Sequence, residues 1–273
     1  MISFFNENSV VKNIRTLISS SDSFQFYNLR NEYHATLNVL QGHNYNFCKS
    51  EDSIYLQRDI SKKSVKKIIS KFLDSSNLDE DEYANNEQTI EQFIKTHNDS
   101  HKFLQKNYNQ IKTVVVLLIG NIIPITFWGS KGAASDAAIL GMVLWSVDKN
   151  WDVVKHIECL IHEATHQAHF LDEMIHGSHI KDSIFVDSNC SRENYILSPI
   201  LNIERPIDMV LAAAYVAMNI SLFHKFLGNH DDVNQLVSKL KVSVNEMIKR
   251  KDCFSANGIV YLYELEQYCQ TYN

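Results

Sequence analysis

The sequence predicts an α+β fold, mostly helical, with a small central sheet and a zincin-like HExxH helix. Three observations carry this expectation. Apolar residues recur at helical spacing through much of residues 5–110 and again from Pro206 onward. Between them, residues 113–147 are rich in β-branched and aliphatic residues, punctuated by Gly120, Pro124 and Gly129. Directly after that block, Trp151–Ile175 reads as one long helix containing His162-Glu163-Ala164-Thr165-His166.

The elements follow in order. Val10, Ile14, Leu17 and Ile18 make one apolar stripe; Phe26, Leu29, Tyr33, Leu37 and Leu40 make a second. Ser64–Leu73 predicts a short basic amphipathic helix with Val65, Ile68, Ile69 and Phe72 on one side. Its neighbours Lys62, Lys63, Lys66 and Lys67 read as a solvated face rather than a dock for an anionic partner. The acidic run Asp79–Glu82 reads as a loop, and a helix is expected from Asn86 to Asn109. Thr113–Ile119 predicts a buried strand ending at Gly120. Asn121–Trp128 predicts a second strand with Pro124 at an edge or bend, and Ala138–Val147 a third, after a turn over Gly129–Asp136.

Beyond Gly177, the segment His179–Glu204 reads as long and irregular, with a short strand around Ser183–Val186. A loop of that length is expected to cover a site or bind a substrate. Pro206 suits the first turn of a helix running to Leu227 and stopped by Gly228. Helices over Asp231–Lys251 and Ser255–Tyr272 complete the chain. No Ser/Gly/Pro linker divides it. The expected organisation is therefore a helical N-terminal part, 1–110, and an HExxH part, 111–273, in one continuous compact unit.

Composition narrows the function. With 45% hydrophobic and 21% charged residues, 273 residues suffice for one large core or two modest ones. A net charge of −6 argues against a general nucleic-acid or anionic-membrane binder. The five cysteines form no CxxC pair and read as reduced thiols of a cytoplasmic protein. Met1–Lys12 lacks the pattern of a signal peptide. The apolar stretch Val114–Trp128, interrupted by Asn121 and Pro124, is short for a membrane span, so a soluble protein is expected.

Histidines four apart on a helix project from one side, close enough to grip one metal ion, and Glu163 can point into the same cleft. A solvated polar face offers a competing account. On a helical wheel Val153, Ile157, Leu160, Ala164, Ala168, Leu171 and Ile175 lie opposite His162, and His162, His166 and His169 share their side with Lys155, Glu158 and Glu173. The position straight after an apolar block favours the metal.

A catalytic metal needs a third protein ligand and an open position. The extended HExxHxxGxxH pattern fails, because His169 stands at the Gly position and Asp172 at the last ligand position. His169 lies roughly 10 Å of axial rise from His162, too far to share one ion comfortably. The later acids are Glu193, Glu204 and Asp208.

Ile161–Gln167 with the HExxH, then Ser198-Pro199, Arg205-Pro206, Val210-Leu211 and Tyr215, resembles the HExxH-type 2-oxoglutarate-dependent peptide β-hydroxylases over roughly residues 125–225. The resemblance implies iron(II) held by His162 and His166, 2-oxoglutarate and O2 as co-substrates, and hydroxylation of a side-chain β-carbon in a ribosomally made precursor peptide. The family's downstream His, in Val-Leu-His, is replaced here by Ala212, and the family's Arg after Ser-Pro by Leu201. Asp208, one helical turn before Ala212, is the expected substitute and would complete a two-His-one-carboxylate triad. Arg205 is the first candidate for the far carboxylate of 2-oxoglutarate, ahead of Lys131 and Arg192. Tyr215 is the candidate substrate contact, with a core tyrosine as the competing role. Glu163 would orient a ligand or water. Two alternatives stay open: a zinc peptidase with Glu163 as general base, and a noncatalytic peptide-binding relative gripping its partner through residues 179–204.

Overall fold

The computed structural model describes residues 5–20, 28–42, 55–56, 87–125, 132–146, 148, 150–186 and 189–272. The predicted Ser64–Leu73 helix, the acidic run Asp79–Glu82, Phe26 and Lys131 lie outside the described residues. The fold is α+β and mostly helical with a small mixed sheet, as the sequence predicts. It comprises two compact units: Val11–Gln167, and Ala168–Asn273 together with Met1–Val10. The division falls within the HExxH helix.

Helix α1 (Glu7–Ser19) buries the expected stripe Val10, Ile14, Leu17 and Ile18. Helix α2 (Leu29–Leu40) is capped by Asn28, whose side chain accepts from the Asn31 amide. It buries Tyr33 and Leu37, whereas Leu40, expected in the same stripe, is exposed.

In the unit Val11–Gln167, β1 (Tyr55–Leu56) precedes α3 (Glu87–Asn107) and α4 (Asn109–Leu118). Helix α4 overturns the predicted strand Thr113–Ile119. Ile111, Val114, Val115 and Leu118 are buried at helical spacing, while Thr113 and Leu117, also four apart, are the less buried side. Burial at period 3.6 outweighs the modest helix penalty of β-branched residues. A distant residue caps the end: the buried Arg30 guanidinium donates to the carbonyls of Val116 (2.7 Å), Ile119 (3.4 Å) and Gly120 (3.3 Å).

The strands then follow as β2 (Asn121–Ile125), β3 (Gly132–Ala134) and β4 (Met142–Ser146), in the order β1–β2–β4–β3. β2 pairs in parallel with both β1 and β4, and β3 closes antiparallel on β4. Pro124 is tolerated in β2 because the described β1 pairing stops at Ile122, so no ladder donor is required on that side. Helix α5 (Val153–His176) succeeds the sheet.

In the other unit, the segment expected to be irregular carries two short antiparallel strand pairs, and the strand expected around Ser183–Val186 is present as Phe185–Val186. β5 (Phe185–Val186) pairs with β6 (Asn189–Cys190), and β7 (Tyr195–Leu197) with β8 (Glu204–Pro206). Pro206 is therefore the last strand residue and the N-cap of α6 (Ile207–Leu227), one step before the first turn expected for it. Helix α6 is long and apolar enough to cross a membrane, but 83% of its most apolar window is buried in the protein. A helix apolar on all sides is a core helix when it is surrounded. Gly228 ends it at φ 77°, the left-handed conformation that glycine adopts without penalty. Helices α7 (His230–Lys249) and α8 (Ala256–Gln270, N-capped by Ser255) pack beside it. The described cysteine side chains, Cys159, Cys253 and Cys269, are free thiols.

Candidate metal centre

Two hydrogen bonds fix the HExxH turn against the sheet. The Gln167 side chain accepts from Gly141 N at 2.8 Å and donates to Met142 O at 3.2 Å, fastening α5 to the start of β4 one residue after His166. Nearer the start of α5, His156 meets the buried His97 of α3 with ring nitrogens 3.0 Å apart and stacks on Trp145 of β4, centroids 4.5 Å apart. Burial, assisted by His101, holds His156 down at about 3, so its ring is neutral near pH 7.

His162 and His166 bring their Nε2 atoms to 3.1 Å, with ring centroids 4.8 Å apart. Both rings are half-buried, not fully solvated. Burial, assisted by His166 and Lys155, pushes the His162 imidazolium down to about 3, so the ring is neutral near pH 7 and able to ligate. The separation suits a shared ion: neighbouring octahedral positions with bonds of about 2.1–2.2 Å put donors roughly 3.0 Å apart, and tetrahedral positions roughly 3.4 Å.

Glu163 is buried, at 1% exposure, which a polar helix face facing solvent would not produce. Ser135, in the turn after β3, donates to Glu163 Oε2 at 2.6 Å. The other oxygen, Oε1, lies 4.0 Å from His162 Nε2. Burial raises the carboxyl to about 7, and the Ser135 hydrogen bond opposes that rise. Ser135 is a site residue that the sequence did not expose. A lone serine 28 positions upstream carries no motif.

The remaining expected residues belong to the other unit. Asp208 sits half-buried in the first turn of α6, and its Oδ1 is buried with no hydrogen-bond partner among the described residues. That differs from an exposed first-turn acid favoured only by the helix dipole. Arg205, in β8, pairs across the hairpin with Ile196 and donates to Met209 Sδ at 3.1 Å. Ser198 anchors the same hairpin, its amide donating to Ile203 O at 2.8 Å, so the Ser-Pro and Arg-Pro motifs flank one turn. Arg192 lies over the Tyr195 ring. Tyr215 is fully buried among His169, His179 and Tyr261, with ring centroids 5.4 to 6.2 Å from its own.

That aromatic set surrounds a second polar cluster. His179 Nε2 donates to Asp172 Oδ2 at 3.0 Å, Tyr261 donates to the same oxygen at 3.0 Å, and His169 Nε2 lies 3.5 Å from Glu173 Oε2. The sequence signal was present as His169 and Glu173 four apart, with His179 just past the helix-ending Gly177, but only folding turns His179 back. Compared with known proteins, the sequence matches no protein family and no curated protein.

Proposed function

We propose that the protein is a metal-dependent enzyme acting on a peptide, with iron(II) held by His162 and His166 and 2-oxoglutarate as co-substrate. The observation carrying this reading is the pair of Nε2 atoms 3.1 Å apart beside the buried Glu163. From the resemblance alone, Asp208 is proposed as the carboxylate of the two-His-one-carboxylate set, because it stands one helical turn before Ala212. When bound, such an ion supplies activation of O2 for hydroxylation of an unactivated carbon.

The chain's own groups have separate tasks in this reading. The two imidazoles hold the ion in their neutral form. Glu163, braced by Ser135, keeps Oε1 beside His162 to orient a water or ligand. Arg205 is proposed to bind the distal carboxylate of 2-oxoglutarate in a bidentate fork, while Tyr215, with no exposed surface, fits the core-tyrosine role better than that of a direct substrate contact. The resemblance in Ile161–Gln167, Ser198-Pro199 and Arg205-Pro206 supplies the substrate class, a ribosomal precursor peptide modified in the cytoplasm.

A second reading, a zinc peptidase, draws on the same carboxylate: Glu163 Oε1 near His162 is also where a general base for a metal-bound water would stand. One experiment separates them. Anaerobically purified protein is loaded with iron(II), given 2-oxoglutarate, O2 and a panel of precursor peptides, and succinate and peptide mass are followed. Succinate release with a gain of one oxygen supports the oxygenase; peptide cleavage with zinc and no succinate supports the peptidase. Peptide binding that persists in chelator and in His162→Ala, with neither chemistry, leaves a binding protein. Asp208→Ala should weaken iron binding at least about tenfold; unchanged iron affinity removes Asp208 from the site.

A further inference from the structure

We infer that His169, Glu173 and His179 form a second divalent-metal site, separate from the HExxH histidines and suited to zinc. One donor atom from each lies within 4.8 Å of the other two. His169 and His179 are buried, and the Glu173 side chain is 27% exposed. Two imidazoles and one carboxylate are a borderline-soft donor set that favours zinc over the all-oxygen demands of calcium or magnesium. The 3.5 Å between His169 Nε2 and Glu173 Oε2 is close to the roughly 3.4 Å separation of donors in a tetrahedral zinc shell. Small side-chain movements bring in the third donor.

The surroundings resemble support for a metal ligand more than an ordinary hydrogen-bonded core pair. Asp172 grips His179 Nε2 and is itself held by the Tyr261 hydroxyl, the carboxylate–histidine contact that fixes ring orientation in metal sites. His179 then coordinates through Nδ1. The His179 backbone is clamped on both sides. Its amide donates to Glu173 Oε1 at 2.9 Å, and its carbonyl accepts from Ser255 N at 2.9 Å. A Cβ at Gly258, in the first turn of α8, would lie 1.9 Å from His179 O, so only glycine allows this approach. An ion here would therefore tie the C-terminal end of α5 to the start of α8, within one unit.

The test uses the full chain carrying H162A and H166A, which removes the HExxH donors. Zinc is titrated against a chromophoric chelator, and thermal unfolding is followed with and without zinc. The expected result is one bound equivalent and a rise of several degrees in Tm. Adding E173Q, at a half-buried position that Gln can occupy without loss of the fold, should abolish both; D172N should weaken zinc binding about 10- to 100-fold. The inference is overturned if the folded H162A/H166A protein binds no zinc, or if its zinc survives E173Q. A wild-type equivalent lost with H162A/H166A speaks only for the HExxH site, so the two readings fail separately.

Discussion

Gln167 accepts the amide proton of Gly141 at 2.8 Å, which sets the rotation of the HExxH helix against the sheet immediately after its second histidine. The same side chain satisfies Met142 O. Gln167→Ala strips a buried N–H and a buried C=O of these partners, so we expect a loss of about 2–4 kcal/mol in denaturant unfolding. A variant as stable as wild type would mean that the clamp is dispensable.

Glu163 carries a signature in pH. Its carboxyl stands at about 7 in the folded protein and near 4.5 when unfolded, so the native state holds the proton more tightly. Stability from this group is greatest below pH 4.5 and declines as pH rises toward 7, by roughly 3 kcal/mol at most. Glu163→Gln should flatten that decline and make the metal-free protein more stable than wild type at pH 8. Parallel pH curves for the two proteins would contradict the assignment.

Three histidines, two of them buried and one half-buried, work in the opposite direction. His156 and His162 are held at about 3 and His101 at about 4, each chiefly by burial, all below the ordinary 6.5. Protons therefore bind the unfolded chain preferentially between pH 6.5 and 3–4. Stability is fully present above 6.5 and is lost as pH falls through that window. Acid titration followed by circular dichroism should show unfolding that begins below about pH 6, earlier for the metal-free protein than for the loaded one.

Gly258→Ala tests the contact between α8 and residue 179. The added Cβ meets a backbone carbonyl, which cannot swing away like a side-chain tip. A loss of about 2–4 kcal/mol is expected in thermal unfolding, although Ala is the better helix former. A stabilised variant would show that the close approach is not retained in solution.

Much of this architecture is legible locally. The single face shared by His162 and His166 follows from the helical repeat, and that repeat is carried by Ile157, Leu160, Ala164, Ala168 and Leu171 without help from distant residues. The ends of α6 and α8 are likewise marked by Gly228 and Ser255, whose conformational freedom and side-chain oxygen act within one turn. Other features depended on partners that sequence order does not reveal. Val114–Val116 became helix rather than strand because their surroundings bury one helical face and Arg30, more than 80 positions away, satisfies the carbonyls at its end. Ser135 found Glu163, and His179 found Asp172 and Tyr261, only through tertiary packing. Periodicity, capping and turn chemistry are short-range and can be read from the chain itself; burial and the hydrogen-bond partners that set a carboxylate's charge are long-range, and only the folded arrangement of elements decides them.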